Sequence, residues 1–265
     1  MHIEVLSFSA TAPGASGAAA AALSGDSLTI KNGKDGSRIS LLGLWSKNQT
    51  SGFVQVASPL MHDSTRGIRV RANAAIVRNV LTTKFPQQMY AQDSLSAQIA
   101  GSAVAGDVEL ASMLLYYEDL PGVNARLIGA DELATRLKSI TTVDASITTT
   151  AGPGYSGSEA LNAESDLLHA NQDYAVLGAV VGVRCLAVTL KGPDTSNLRI
   201  AVPGEPNNPN RTGSFFVNLA ERYNMPLIPV INSANRASTF LEAAQDENAA
   251  AVTVSWILAE LATAA

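Results

Sequence analysis

The chain has 265 residues, 46% of them hydrophobic but only 5% aromatic, with 15% charged and a net charge of −5. That length holds one large β-rich domain or two of ordinary size, and so weakly acidic a surface argues against a protein whose main task is gripping a polyanion. A lone cysteine, Cys185, excludes an intrachain disulfide, and its apolar surroundings predict a buried, unreactive thiol.

Taken in order, residues 1–38 open with an alternating strand from His2 to Ser9. A small-residue segment, Thr11 to Gly25, follows; it cannot fill a core and reads as an arm or surface crossing. The start lacks the basic region of a signal peptide, and no apolar run nears the roughly 20 residues needed to cross a bilayer. Leu28 to Lys31 reads as a strand, with Asn32-Gly33 and Asp35-Gly36 supplying turns.

From residue 39 to 120 strands recur at the spacing of roughly 8–12 residues expected of a sandwich. Phe53–Val56, Ile68–Arg71 and Ser94–Ile99 alternate apolar with polar side chains. No helix of ordinary length separates them, which excludes a parallel α/β sheet.

Residues 121–168 read as a connector. Asp131 to Ile140 is a predicted helix, with Asp131 as cap and Leu133 and Leu137 one turn apart. Thr141 to Ser158 is too polar to bury and reads as an exposed crossover or strand and loop, and Ala160 to Leu168 as a short helix. Residues 169–265 hold further strands, a Pro/Asn loop from Pro203 to Asn210, and a helix from Ser214 to Tyr223. The stripe Phe215, Leu219, Tyr223 on that helix predicts core packing.

The two halves repeat one another. Leu42-Gly43, the strand Phe53–Val56 and the corner Asp63-Ser64-Thr65 before Arg69 match Leu177-Gly178, Leu186–Leu190 and Asp194-Thr195-Ser196 before Arg199. Pro86–Ile99 matches Pro226–Leu241, and the strand around Ser112 matches the strand around Ser255. The offset is 135 residues at Leu42/Leu177 and 143 at Ser112/Ser255, so order is kept while loops differ in length. This is the pattern of a duplicated domain. The fold class it predicts is all-β, two tandem jelly-roll sandwiches with short inserted helices: a first roll over 39–120 and a second over 169–265.

Two such rolls, with the Phe215–Tyr223 helix followed by Met225-Pro226-Leu227-Ile228-Pro229, resemble the double jelly-roll major capsid proteins of tailless icosahedral viruses, the bacteriophage and adenovirus-like lineage. The resemblance is one of architecture and covers roughly residue 39 to the C-terminus. It implies a homotrimer whose six rolls form a pseudo-hexagonal tile of a virion shell, with the chain made in the host cytoplasm. It implies as partners other copies of the chain and other virion proteins such as penton or minor capsid proteins. A weak contact with the packaged genome would fall to Arg66, Arg69, Arg71 and Arg78, though recurrence of Arg69 as Arg199 favours ion pairs at a domain or subunit boundary.

Chemical motifs argue against an enzyme. Gly25-Asp26-Ser27-Leu28 spells the block of GDSL hydrolases, yet no Asp-x-x-His follows to supply a base for Ser27. Gly154–Ser158 misses the nucleophile elbow at its last position. A tandem cupin needs clustered histidines, and the chain has only His2, His62 and His169. No catalytic, cofactor-binding or metal-ligating residue is therefore assigned, and Glu242 to Glu247 reads as a solvated acidic turn. The alternatives are a cement or spike-base protein and a carbohydrate-binding tandem sandwich; the latter predicts exposed Trp or Tyr, whereas Trp45 and Trp256 lie in apolar runs.

Overall fold

β-branched and aromatic residues alternating with polar ones, between Gly, Pro, Asn and Asp, commit most of this chain to antiparallel sheet. The computed structural model describes residues 1–11, 20–22, 24–25, 29–48, 52–61, 63–65, 67–72, 78–79, 86–100, 108–123, 125–150, 155–161, 168–181, 185–204, 212–245 and 251–263. In the first half the strands are β1 (His2–Thr11), β2 (Ala20–Ala22), β3 (Ser24–Gly25), β4 (Ile39–Asn48) and β5 (Gly52–Ala57). They continue with β6 (Ile68–Ala72), β7 (Arg78–Asn79), β8 (Gln87–Met89), β9 (Ser96–Ala100) and β10 (Val108–Tyr117). The second half runs β11 (Arg126–Ile128), α1 (Ala130–Arg136), β12 (Leu137–Thr148), β13 (Ser156–Ala160), β14 (Asp173–Val181) and β15 (Cys185–Lys191). It ends with β16 (Ile200–Pro203), α2 (Phe215–Tyr223), β17 (Ile228–Asn232), β18 (Phe240–Gln245) and β19 (Ala251–Leu261).

These strands make four antiparallel sheets. Sheet I has the order β3-β1-β10-β4, with β7 and β8 both on the far edge of β4; sheet II has the order β2-β9-β5-β6. Sheet III has the order β11-β17-β14-β19-β12, and sheet IV β13-β18-β15-β16. Leu41, Leu44, Met113 and Leu115 of sheet I meet Val54, Val56 and Ala97 of sheet II in one core. Val254, Trp256 and Leu258 of sheet III share a second core with Leu186, Val188 and Leu190 of sheet IV. Each half is thus a β-sandwich.

The strand order is the same in both. Reading β1-β10-β4-β8 as β12-β19-β14-β17, and β2-β9-β5-β6 as β13-β18-β15-β16, converts the first sandwich into the second. The match extends to a defect. In sheet I Gly43 pairs with Leu114 and Leu41 with Leu115, which leaves Leu42 unpaired as a bulge. In sheet III Gly178 pairs with Ile257 and Val176 with Leu258, which leaves Leu177 unpaired in the same way. A bulge bends and twists a strand, so a shared bulge means a shared curvature as well as a shared order. The glycine after it has a steric reason at Gly178, where a Cβ would lie 2.1 Å from the Thr212 carbonyl oxygen.

The repeat begins earlier in each half than the sequence suggests. The described part of the Thr11–Gly25 arm is strand, closing sheets I and II through β3 and β2. The connector over 121–168 is also sheet: β12 and β13 stand where β1 and β2 stand in the first half. The helix expected over Asp131–Ile140 stops at Arg136. Gly129, not Asp131, is its N-cap, and no side chain caps it. Beyond Arg136 the run Ile140-Thr141-Thr142-Val143 is β-branched, and β12 pairs with β19 to Thr148. Its polar residues face out while Val143, Ala145 and Ile147 are buried, so polarity marked one face and not a loop. Of the expected helix over Ala160–Leu168, Ala160 ends β13 and residues 162–167 lie outside the described residues.

α2 matches its prediction closely, with Phe215, Phe216, Leu219, Ala220 and Tyr223 buried. Cys185, Trp45 and Trp256 are each fully buried.

Candidate functional site: the contact between the sandwiches

With no chemical motif to follow, the structure directs attention to where the two sandwiches meet. Alternate residues of sheet I point away from its own core: Ile3 and Val5 on β1, Leu110, Leu114 and Tyr116 on β10, Trp45 on β4. All are 3% exposed or less, because the second sandwich covers them. β1 lies against β16, and both β10 and β4 lie against β15, so the outer face of sheet I is seated on sheet IV.

Directional contacts fix this seat. The Val5 N–H donates to the Arg199 carbonyl at 2.9 Å, adding a backbone bond at the open edge of β1. Tyr223 of α2 donates its hydroxyl to the carbonyl of the bulge residue Leu42 at 3.0 Å. Burial pushes the Tyr223 phenol above its ordinary pKa, with Arg222 opposing. Phe215 meets Trp45 edge to face, with centroids 6.2 Å apart. The bulge thus presents a carbonyl to the helix that its neighbouring strand cannot use.

A polar thread crosses the same contact. Ser7 and Ser112 hydroxyls hydrogen-bond one another, and Ser112 Oγ lies 3.4 Å from Tyr155 Oη. The Arg199 guanidinium lies 5.3 Å above the Tyr155 ring and donates from Nε to Glu242 Oε2 at 2.6 Å. Lys191 Nζ is 3.9 Å from the same carboxylate. The acidic stretch read as a solvated turn therefore begins on β18 with a half-buried ion pair; residues 246–247 of that stretch lie outside the described residues.

The basic concentration divides among different surroundings. Arg66 lies outside the described residues; Arg69 and Arg71 are on β6 of sheet II, and Arg78 is on β7 of sheet I. Arg78 thus lies in a different sheet from Arg69 and Arg71. Arg69 is exposed, donates from Nε to Gln55 Oε1 at 2.8 Å and lies 5.0 Å above the Phe53 ring. The ion pair expected at both copies is thus present at Arg199, whereas Arg69 has an amide partner.

Two further polar clusters lie elsewhere, one buried at the start of β1 and one partly exposed at β11 and β14. His2 is 1% exposed at the start of β1, and neither ring nitrogen has a hydrogen-bond partner. Burial, then the Lys31 charge and the N-terminus, lower its pKa to about 3, so the ring is neutral. Nearby, Glu4 pairs with Lys31. In the second half Arg126 grips Asp173 with two bonds of 2.7 and 2.9 Å, and Asn232 donates to the same carboxylate at 2.7 Å. The Arg126 hydrogen bond holds Asp173 below the usual carboxylate range. This cluster lines an open cavity of ≈ 600 Å³ with Glu132 and Arg136, which pair with each other.

Ser27 and His62 lie outside the described residues, and His169 pairs with Glu260 at 2.9 Å in the second half. Among the described residues no three His, Cys, Asp or Glu side chains come together as a metal site, and no helix is long and apolar enough to cross a membrane. Sequence reading missed the thread from Ser7 to Arg199. Its one signal was the recurrence of Ser112 as Ser255 in the middle of apolar strands.

No protein-family description and no curated protein matches this sequence. Solved structures similar to it include the PBSX exported protein XepA, at 10% identity and TM-score 0.29 over 96% of this chain and 86% of that one. YhaK from Escherichia coli matches at 11% identity and TM-score 0.21, over 95% and 82%. The major capsid protein P2 from bacteriophage PM2 matches at 8% identity and TM-score 0.22, over 98% of both chains. At these scores none of the three bears on function; the chain's own strand order and contact faces do.

Proposed function

We propose that this chain is the major capsid protein of a non-enveloped icosahedral virus, a double jelly roll that acts by self-association and not by catalysis. The observation that carries the reading is the paired strand order β1-β10-β4-β8 over β2-β9-β5-β6, repeated with the same bulge in the second half. Each half has the eight strands of a jelly roll, and α2 sits between β16 and β17 of the second. Duplication has a physical use in a shell: two similar sandwiches with different exposed edges let a three-chain ring offer six alike sides to its neighbours. Both tryptophans are buried, which counts against the saccharide-binding alternative, although Tyr90 and Phe240 are exposed, one in each half of the chain.

Light scattering after size exclusion, with negative-stain class averages, tests this. The reading expects a mass of three 27.5 kDa chains and hexagonal outlines. A particle of one chain at all concentrations contradicts it.

A further inference from the structure

The contact inside the chain joins unlike faces: the outer side of sheet I on the first sandwich and the outer side of sheet IV on the second. Such a head-to-tail contact can be repeated, because the step from the first sandwich to the second can be taken again from the second to the next copy. The two faces needed for that second step are both present. They are the outer side of sheet III, counterpart of sheet I, and the outer side of sheet II, counterpart of sheet IV.

The shared bulge fixes which residues correspond. Leu114 answers to Ile257, Ser112 to Ser255 and Trp45 to Val180; through the pairing of β1 and β12, Ile3, Val5 and Ser7 answer to Ile140, Thr142 and Asp144. The first set is buried by the second sandwich, whereas Ile140 is 59% exposed and Thr142, Asp144 and Thr253 are also exposed. Among the described residues β12 is moreover an edge strand, and an open edge is a template for another chain unless something covers it.

We infer that the β12 and β19 side of sheet III is the surface on which sheet II of a second copy of this chain docks, the ring contact between protomers. Charge supports the match. At the contact within the chain Arg199 is neutralised by Glu242 of its own sheet, and the face opposite presents uncharged Ser7 and Ser112. Sheet II inverts this arrangement: β2, β5, β6 and β9 contain no Asp or Glu, and Arg69 is exposed beside Gln55. The face meant for it carries Asp144 at the place of Ser7. The carboxylate missing from sheet II is thus supplied by the neighbouring chain, and the outward N–H of Thr142, at the place of Val5, meets the carbonyl at Arg69.

This inference rests on the trimer reading and is tested separately from it. Asp144→Arg, Arg69→Asp, the double exchange and Ile140→Glu are compared with the unaltered chain by native mass spectrometry, and circular dichroism checks each fold. Ile140→Glu alters a side chain already in solvent, so it leaves the isolated sandwich intact. The expected result is a trimer for the unaltered chain, a rise of at least about tenfold in the trimer dissociation constant for each single change, and recovery in the double exchange. Trimers indifferent to all four changes overturn the docking face and leave the ring standing. Dissociation by the single changes without recovery in the double exchange overturns the Arg69–Asp144 pairing. A monomeric unaltered chain overturns both the face and the ring.

Discussion

The outer sides of sheets I and III are the same surface built twice and used differently. On sheet I, Ile3, Val5, Trp45 and Leu114 are buried under the second sandwich; on sheet III, their counterparts Ile140, Thr142, Val180 and Ile257 are smaller, more polar or more exposed. Strand order and bulge are alike, so backbone does not set the difference. Side-chain chemistry follows what covers each face: burial within the chain allows Trp and Leu, while the part of sheet III left in solvent carries Thr, Ser and Asp.

Truncation separates the two faces most sharply. Trp45→Ala should cost about 3–5 kcal/mol in urea unfolding, and Ile3→Ala about 2–5 kcal/mol, since both leave cavities between the sandwiches. Val180→Ala should cost about 1 kcal/mol or less, and Ile140→Ala should stay within about 0.5 kcal/mol in the isolated chain. Equal losses at Ile3 and Ile140 would break the comparison.

Acid comes next. His2 is neutral when folded, with its pKa lowered to about 3, whereas an unfolded chain protonates it near 6.5. Protons therefore favour the unfolded state below that value, and stability is lost as pH falls from 6.5 toward 3. Between pH 6.5 and 5 the loss is about 2 kcal/mol, and His2→Leu should flatten it. Melting curves across that range read the slope directly. At the place of His2 the second sandwich has Ser139, opposite Glu260 as His2 is opposite Tyr117, so β12 has no buried histidine to repeat this sensitivity.

The smallest effects concern paired charges. Glu242→Gln removes the partner of Arg199 at a half-buried contact and should cost about 1–2 kcal/mol, whereas Gln98→Glu, on β9 across Gln55 from Arg69, should change the monomer by less than about 0.5 kcal/mol. Arg126→Ala removes the two bonds to Asp173; with Arg126 about half exposed, water and salt reduce the loss to about 1 kcal/mol or less. Because Asp173 is held below its usual range, its contribution is present at neutral pH and is lost as acid protonates it. Urea titrations in low and high salt measure both changes.

Much of the fold was legible because repetition is a sequence property. The recurring Leu-Gly pairs fall at the shared bulge, the Asp corners fall at the β5–β6 and β15–β16 hairpins, and the offset of 143 residues between Ser112 and Ser255 is the offset the pairing shows between Leu114 and Ile257. What escaped were strands whose composition disguised them. Ala20–Ala22 has no periodicity to read, and β12 combines buried Val143, Ala145 and Ile147 with Thr and Ser in a pattern too polar to suggest a core. The contact between sandwiches escaped for a different reason. Val5 meeting Arg199, or Tyr223 meeting Leu42, depends on packing between distant segments, and alternation within one strand does not say which of two buried faces a neighbour will cover.

The most direct test is an electron cryomicroscopy map of the purified assembly at a resolution that traces strands. It should show six sandwiches in a ring of three chains, with β12 and β19 of each chain against β5 and β6 of the next. A map with the Ile140 and Asp144 face in solvent, or with the two halves of the chain built on different strand orders, would contradict it.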